Sequence, residues 1–286
     1  LLLEDFKRGV LRKYYITGMP EKVHEVGDVD LFYMPRRESL AGLLKPRRDL
    51  LKKKYMFQGI STSRGCPFDC KFCSVTQFYG RTLRHRPIPE VLEEIETLGR
   101  YLFMTDDNIF DDFQYRRELY REMAKSPKWR IWLGQGSLSI MKNENVDEVL
   151  EYAYRSGLTG VFVGFESINE EVLLKNRISS KLSVKSGASF DRNDIREAVN
   201  QIKRHGINVF GFFILGFDDD SIEAFEQTRR FYEELDVIPI PLLLTPLPGS
   251  ELWDDYDDRI IDGISFSKWD HSHAVFYHPN MTPWQR

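Results

Sequence analysis

The chain has 286 residues, 42% of them hydrophobic and 29% charged, a balance that fits a globular protein with a buried core and excludes disordered and fibrous classes. Its longest apolar run, residues 207–217, holds two glycines and is too short to cross a bilayer; no signal peptide, low-complexity tract or repeat of fixed period occurs. The net charge of −4 is uneven, because residues 36–54 carry eight Lys or Arg against Glu38 and Asp49, while acids gather at 218–220 and 254–258. That basic run reads either as a solvated linker or as a surface for an anionic partner such as nucleic acid or lipid headgroups.

In chain order, apolar spacing at Leu3, Phe6, Val10 and Leu11 predicts a helix over residues 1–15. Prolines and charges then dominate to residue 54 and read as an extended connector. From there strand and helix alternate. Strands are expected at 55–62, 101–105, 130–134, 160–165, 207–216 and 238–245. Helices are expected at 89–98, 112–124, 146–156 (closed by Gly157), 169–176, 191–205 (ending at Gly206) and 221–235. Six such units imply parallel strands with helical crossovers, an α/β fold whose reactive groups lie at the C-terminal strand ends. Residues 181–190, rich in Ser, Lys and Gly, look inserted. The chain opens without Met and closes on Thr282-Pro283, an N-cap and first turn of a helix without a body. It therefore reads as part of a longer protein, with residues 1–54 as the tail of an upstream domain, 55–250 as a core and 251–286 as an extension.

All three cysteines lie in one loop after the first core strand, as Cys66-Pro-Phe-Asp-Cys70-Lys-Phe-Cys73, a C-x3-C-x2-C spacing. Disulfide pairing would leave one thiol over. Three soft thiolates on one loop suit a [4Fe–4S] cluster with one iron left open, or a zinc ion with His85 as a fourth ligand. Thiols so clustered, with no other cysteine, argue for a reducing compartment and a cytoplasmic location. Two more strand ends stand out. Asp106 and Asp107 follow an apolar strand, and Glu166 ends another; charges there need a polar cavity or a partner. Helix capping by Asp107 or Asn108 is the alternative for the first pair. Gln135 and Ser137 end the third strand and can hydrogen-bond a ligand or one another.

The spacing, with Phe72 before the last cysteine, and the stretch TSRGCPFDCKFCSVTQFYGRTLRHRPIPEVLEEI resemble the radical S-adenosylmethionine (SAM) superfamily, in particular the group whose core follows a cobalamin-binding domain. The resemblance spans about residues 56–281. It implies a (β/α)6 partial TIM barrel, with Cys66, Cys70 and Cys73 holding three irons of a [4Fe–4S] cluster and SAM on the fourth. It further implies Phe72 beside the adenine, Asp106 or Asp107 at the methionyl ammonium, Gln135 in the cavity, Glu166 on the ribose hydroxyls and Arg177 on the SAM carboxylate. For Phe72 and Arg177, core packing and a surface position remain open, and His271 and His273 read as solvated or packed rather than as metal ligands. Further implications are a flavodoxin- or ferredoxin-like electron donor, a missing N-terminal cobalamin domain, and methyl transfer to, or rearrangement of, a small hydrophobic metabolite. The Asp-x-His-x-x-Gly motif of cobalamin domains does not occur in the chain. RNA modification of the methylthiotransferase kind, supported by the basic run, and a non-catalytic zinc or Fe–S scaffold are the competing readings.

Overall fold

A computed structural model of the chain describes residues 7–8, 23–26, 29–32, 39–53, 55–182 and 191–286. The helix expected over 1–15 lies almost wholly outside them, as do residues 183–190. No helix among the described residues is long and apolar enough to cross a membrane.

The expected connector contains an antiparallel pair, β1 (Val23–Val26) and β2 (Val29–Phe32). The two residues that separate them, Gly27-Asp28, are a hairpin signal that the surrounding prolines and charges masked. The basic run is partly neutralised by the chain itself. Lys45 pairs with Glu93 at 2.6 Å, Arg47 with Asp49 at 2.6 Å, and Arg48 with the buried Glu94 at 2.7 Å.

The core is a six-stranded sheet, every neighbouring pair parallel. Its strands are β3 (Phe57–Ile60), β6 (Tyr101–Met104), β7 (Ile131–Gly136), β8 (Leu158–Glu166), β9 (Asn208–Leu215) and β10 (Ile238–Leu243), in that spatial order. This is the expected α/β arrangement, with β3 and β10 as edges. Strand β10 carries Pro239 and Pro241, and the Leu243 N–H donates to the His271 carbonyl at 2.8 Å. A two-residue hairpin, β4 (Ser63–Arg64) with β5 (Arg84–His85), brackets the cysteine loop, which includes the short helix α1 (Val75–Tyr79).

The crossover helices are α2 (Ile88–Glu96), α3 (Phe113–Met123), α4 (Val146–Arg155), α5 (Glu170–Lys175), α6 (Ser179–Leu182), α7 (Arg192–Arg204) and α8 (Ile222–Leu235); α9 (Glu251–Tyr256) follows β10. Each long helix lays one apolar stripe on the sheet; α7, for example, buries Ile195, Ala198, Val199 and Ile202. The cap of α3 is Asp112, which accepts from the Tyr115 N–H, so neither Asp107 nor Asn108 is spent on capping it. Gly157, at φ 105°, sits so close to the Arg130 carbonyl that a β-carbon would collide with it.

Under the cysteine loop lies a fully buried charged cluster. Arg116 of α3 donates to Asp106 at 2.9 Å, to Asp111 at 2.7 and 3.0 Å, to the Thr62 and Ser63 hydroxyls at 2.7 Å each, and to the Asn108 carbonyl at 2.9 Å. Burial works to raise the Asp111 carboxyl, but the Arg116 guanidinium, backed by His85, overrides it and holds the group well below the usual carboxylate range. Breaking such a pair from one side strands a charge in the interior, at a cost of about 3–5 kcal/mol. We expect Arg116→Met to lose stability of that order in urea denaturation. Asp111 titrates below its unfolded value, so its stabilising share is complete above about pH 4 and is lost as the pH falls further. The variant should lack that acid-dependent share.

Candidate active site

The cysteine loop leaves β3 and is fastened at both ends and in the middle. At its start the Thr62 N–H donates to Asp106 at 2.6 Å and the Gly65 N–H to Asp107 at 2.9 Å. At its far end the Arg86 N–H donates to the Thr62 carbonyl at 2.8 Å, and the Tyr115 hydroxyl donates to the Arg86 carbonyl at 2.8 Å. In between, the Lys71 N–H donates to the Asn176 carbonyl and the Leu252 N–H to the Lys71 carbonyl. Gly65, at φ 95°, stands against the Thr82 carbonyl, which leaves no room for a β-carbon.

This fastening turns all three thiols into one cavity of about 320 Å³ at the C-terminal strand ends, within the range of small-molecule sites. The cysteines are free, Cys70 buried and Cys66 and Cys73 half-buried. Burial pushes the Cys66 thiol up to about 11 and Cys70 to about 12, while the Lys181 ammonium pulls both down. Among the described residues no three His, Cys, Asp or Glu side chains converge on a single ion. Three free thiols lining one cavity suit the separate irons of a cluster. His85, the alternative zinc ligand, stacks on the Tyr115 ring at 4.1 Å and turns its Nε2 toward Asp111 at 3.5 Å, outside the cavity.

Opposite the thiols, β8 ends in an irregular step. The register with β9 shifts between Gly164 and Glu166, and Glu166 takes a left-handed φ of 65°. Its carboxylate enters the cavity and accepts from Lys181 Nζ at 2.5 Å. Gly164 makes this possible, since a β-carbon there would collide with Glu166 Oε1 and lie 2.5 Å from Lys181 Nζ. Asp107 also lines the cavity, and burial raises its carboxyl above the usual value. Phe68, Phe72, Phe162, Phe212, Leu242 and Leu244 give the remaining wall its apolar character.

Of the residues singled out from the sequence, Cys66, Cys70, Cys73, Phe72, Asp107, Gln135 and Glu166 therefore share one cavity. Two do not. Asp106 is 2% exposed and faces down into the Arg116 cluster, because two hydroxyls and a guanidinium satisfy it there. Arg177 turns outward, donating to the Asp69 carbonyl at 2.9 Å and pairing with Glu251, and so ties the loop to α9. Sequence reasoning missed Lys181, which follows Glu166 by fifteen positions in a stretch without periodicity. It also set aside His271, which lines the cavity at φ 60°, while His273 is held by Asp270. Gly211 serves packing on the helix side, where Phe165 and Phe213 stack at 5.1 Å. A larger hollow of about 700 Å³ between α5, α7 and α8 contains no thiol, and its acids Asp219 and Asp220 are engaged by Lys175 and by the Gly216 and Phe217 N–H groups.

Comparison with known proteins gives a consistent set of likenesses. The model of the radical SAM superfamily matches residues 60–232. Bacteriochlorophyllide d C-12(1)-methyltransferase of Chlorobaculum tepidum is 34% identical over 236 residues, 79% of this chain and 48% of that protein. Hopanoid C-3 methylase of Methylococcus capsulatus is 30% identical over 240 residues, 80% of this chain and 44% of that protein. The chain thus spans about half the length of the curated relatives it matches. Among solved structures, the radical S-adenosylmethionine methyltransferase TsrM of Kitasatospora setae, with cobalamin and a [4Fe–4S] cluster bound, shares the fold at a TM-score of 0.60. That likeness has 19% identity and covers 71% of this chain and 39% of that one.

The close approach at Gly164 is open to a direct test. Gly164→Ala should cost about 1–3 kcal/mol in urea denaturation, the usual range for an overpacked site. In a chain already carrying Glu166→Ala the same change should cost less, because its nearest obstacle has gone. Equal costs in both backgrounds would show that the β-carbon is accommodated elsewhere.

Proposed function

The chain belongs to the radical SAM superfamily, and from that premise we propose that it is the core of a radical SAM methyltransferase acting on a carbon of a small hydrophobic metabolite. One observation carries the reading: three free thiols, a part-buried carboxylate–ammonium pair and an apolar wall meet in a single cavity at the strand ends.

In this reading Cys66, Cys70 and Cys73 each hold one iron of a [4Fe–4S] cluster and leave the fourth for the amino and carboxylate groups of SAM. When bound, cluster and SAM supply the chemistry, in which one electron splits the C5′–S bond to methionine and a 5′-deoxyadenosyl radical. The chain binds, orients and excludes water. Glu166 can accept hydrogen bonds from two neighbouring ribose hydroxyls. Asp107 can accept a hydrogen bond from the amino group of SAM, since Asp106 is committed to Arg116. Phe72 stands beside the adenine, and Gln135 offers hydrogen bonds from the strand end to the bound molecules. The Phe162, Phe212 and Leu242 side of the cavity suits an apolar substrate.

Methyl transfer is supported by relatives named as a methyltransferase and a methylase. Cobalamin is supported by its presence in TsrM, and a cobalamin-binding domain upstream of residue 55 would bring it to this cavity. The electron donor would be a flavodoxin- or ferredoxin-like protein of the cytoplasm.

Anaerobic reconstitution with iron and sulfide, followed by SAM and dithionite, should yield 5′-deoxyadenosine. Cys70→Ala should abolish that yield, the loss expected when one of three cluster ligands is removed. A soluble wild-type chain that takes up zinc instead, or that holds a four-iron cluster without cleaving SAM, would overturn the reading.

A further inference from the structure

Beyond its pairing with Glu166, Lys181 has no role in the reading above, yet it is held in the cavity. Ile178, just before α6, and Leu182 at its end are buried at 0% and 2% exposure and fix the helical turn that aims it inward. Its ammonium ends 2.5 Å from Glu166 Oε1, over the bare backbone of Gly164. The side chain is 19% exposed. Among the described residues that line the cavity it is the sole lysine or arginine, set against the carboxylates of Asp107 and Glu166 and the three thiols. Burial works to lower its pKa, but the Glu166 carboxylate beside it outweighs that and keeps it protonated.

We propose that Lys181 is the fixed counter-ion of the cysteine site, a positioning residue that eases reduction of the bound cluster through its charge, with Glu166 as its tether. The inference rests on the cluster reading given above. A cluster on three thiolates becomes one unit more negative when it accepts an electron, in a cavity already lined by two carboxylates. Where water is partly excluded, a nearby cation favours the more negative state more than it would in bulk water. Burial, charge and hydrogen bonding around a cluster are known levers on its potential. The tether matters because a free lysine would swing toward solvent. The bulge at Glu166 and the glycine at 164 hold the pair within the cavity that the thiols line instead.

The test is an EPR-monitored redox titration of the reconstituted cluster without SAM, so that turnover plays no part. Iron and sulfide contents are matched between proteins. Lys181→Met should move the midpoint to a more negative value than wild type, and Lys181→Arg should restore it. An unchanged midpoint in Lys181→Met overturns the proposal. If Lys181→Met takes up no cluster, Lys181→Gln, which keeps a hydrogen bond to Glu166 without the charge, is titrated in its place and read the same way. Loss of the cluster from both uncharged variants but not from Lys181→Arg supports the counter-ion role. Loss from Lys181→Arg as well shows that shape rather than charge is at stake, and overturns it. A wild-type chain that binds no four-iron cluster fails the underlying reading, and is recognised by its iron content before any titration.

Discussion

The guanidinium of Arg116 is the constraint from which the site is built. It is wholly buried, and it makes contact with residues from three places: the exit of β3, the exit of β6 and Asp111 just ahead of its own helix. A charge in such a position is costly unless its hydrogen bonds are filled. The surrounding Asp106, Asp111, Thr62, Ser63 and Asn108 carbonyl fill them, and in doing so they set the point at which the cysteine loop departs. A second buried pair, Arg86 with Glu94 at 2.7 Å, fixes where the loop returns. The thiols are therefore aimed by two charged anchors beneath the loop together with the backbone bonds and apolar packing at its middle.

Above those anchors the cavity divides its chemistry by strand. Thiols come from the loop after β3, carboxylates from the ends of β6 and β8, and apolar surface from β8, β9 and β10 with Phe68 and Phe72 of the loop. That division follows from parallel strands, which deliver all their C-terminal ends to one side. Two departures from regular backbone support it. Gly65 lets the loop turn against the Thr82 carbonyl, and the left-handed Glu166 turns a carboxylate toward the thiols that a regular strand would have carried past them.

Much of this was legible in the sequence, and for identifiable reasons. The six core strands and the helices between them are long and periodic enough to read. The cysteine spacing is specific, and Glu166 was visible as a charge in an expensive place. What escaped reading depends on distance in sequence. Asp106 and Asp107 look alike beside each other, and only the location of Arg116, ten positions on, sends one down and leaves the other in the cavity. Arg177 is drawn away by Asp69 and Glu251, the latter 74 positions later. Lys181 lies in a segment with no periodic pattern, so nothing local announces its partner. The hairpin of β1 and β2 was hidden by the composition around it, and the curvature of a partial barrel came from family resemblance rather than from the residues.

The prolines of β10 have a bearing on how this protein behaves in a crowded solution. In a parallel strand alternate residues present their amide groups to the same side, so Pro239, Pro241 and Leu243 share the outer edge. The two prolines have no N–H to offer, and the third donor is already occupied by the His271 carbonyl. An open sheet edge ordinarily invites another strand to add to it. Here an incoming chain finds no donor along the rim, so edge-to-edge aggregation is discouraged on the flank where the sheet is unclosed.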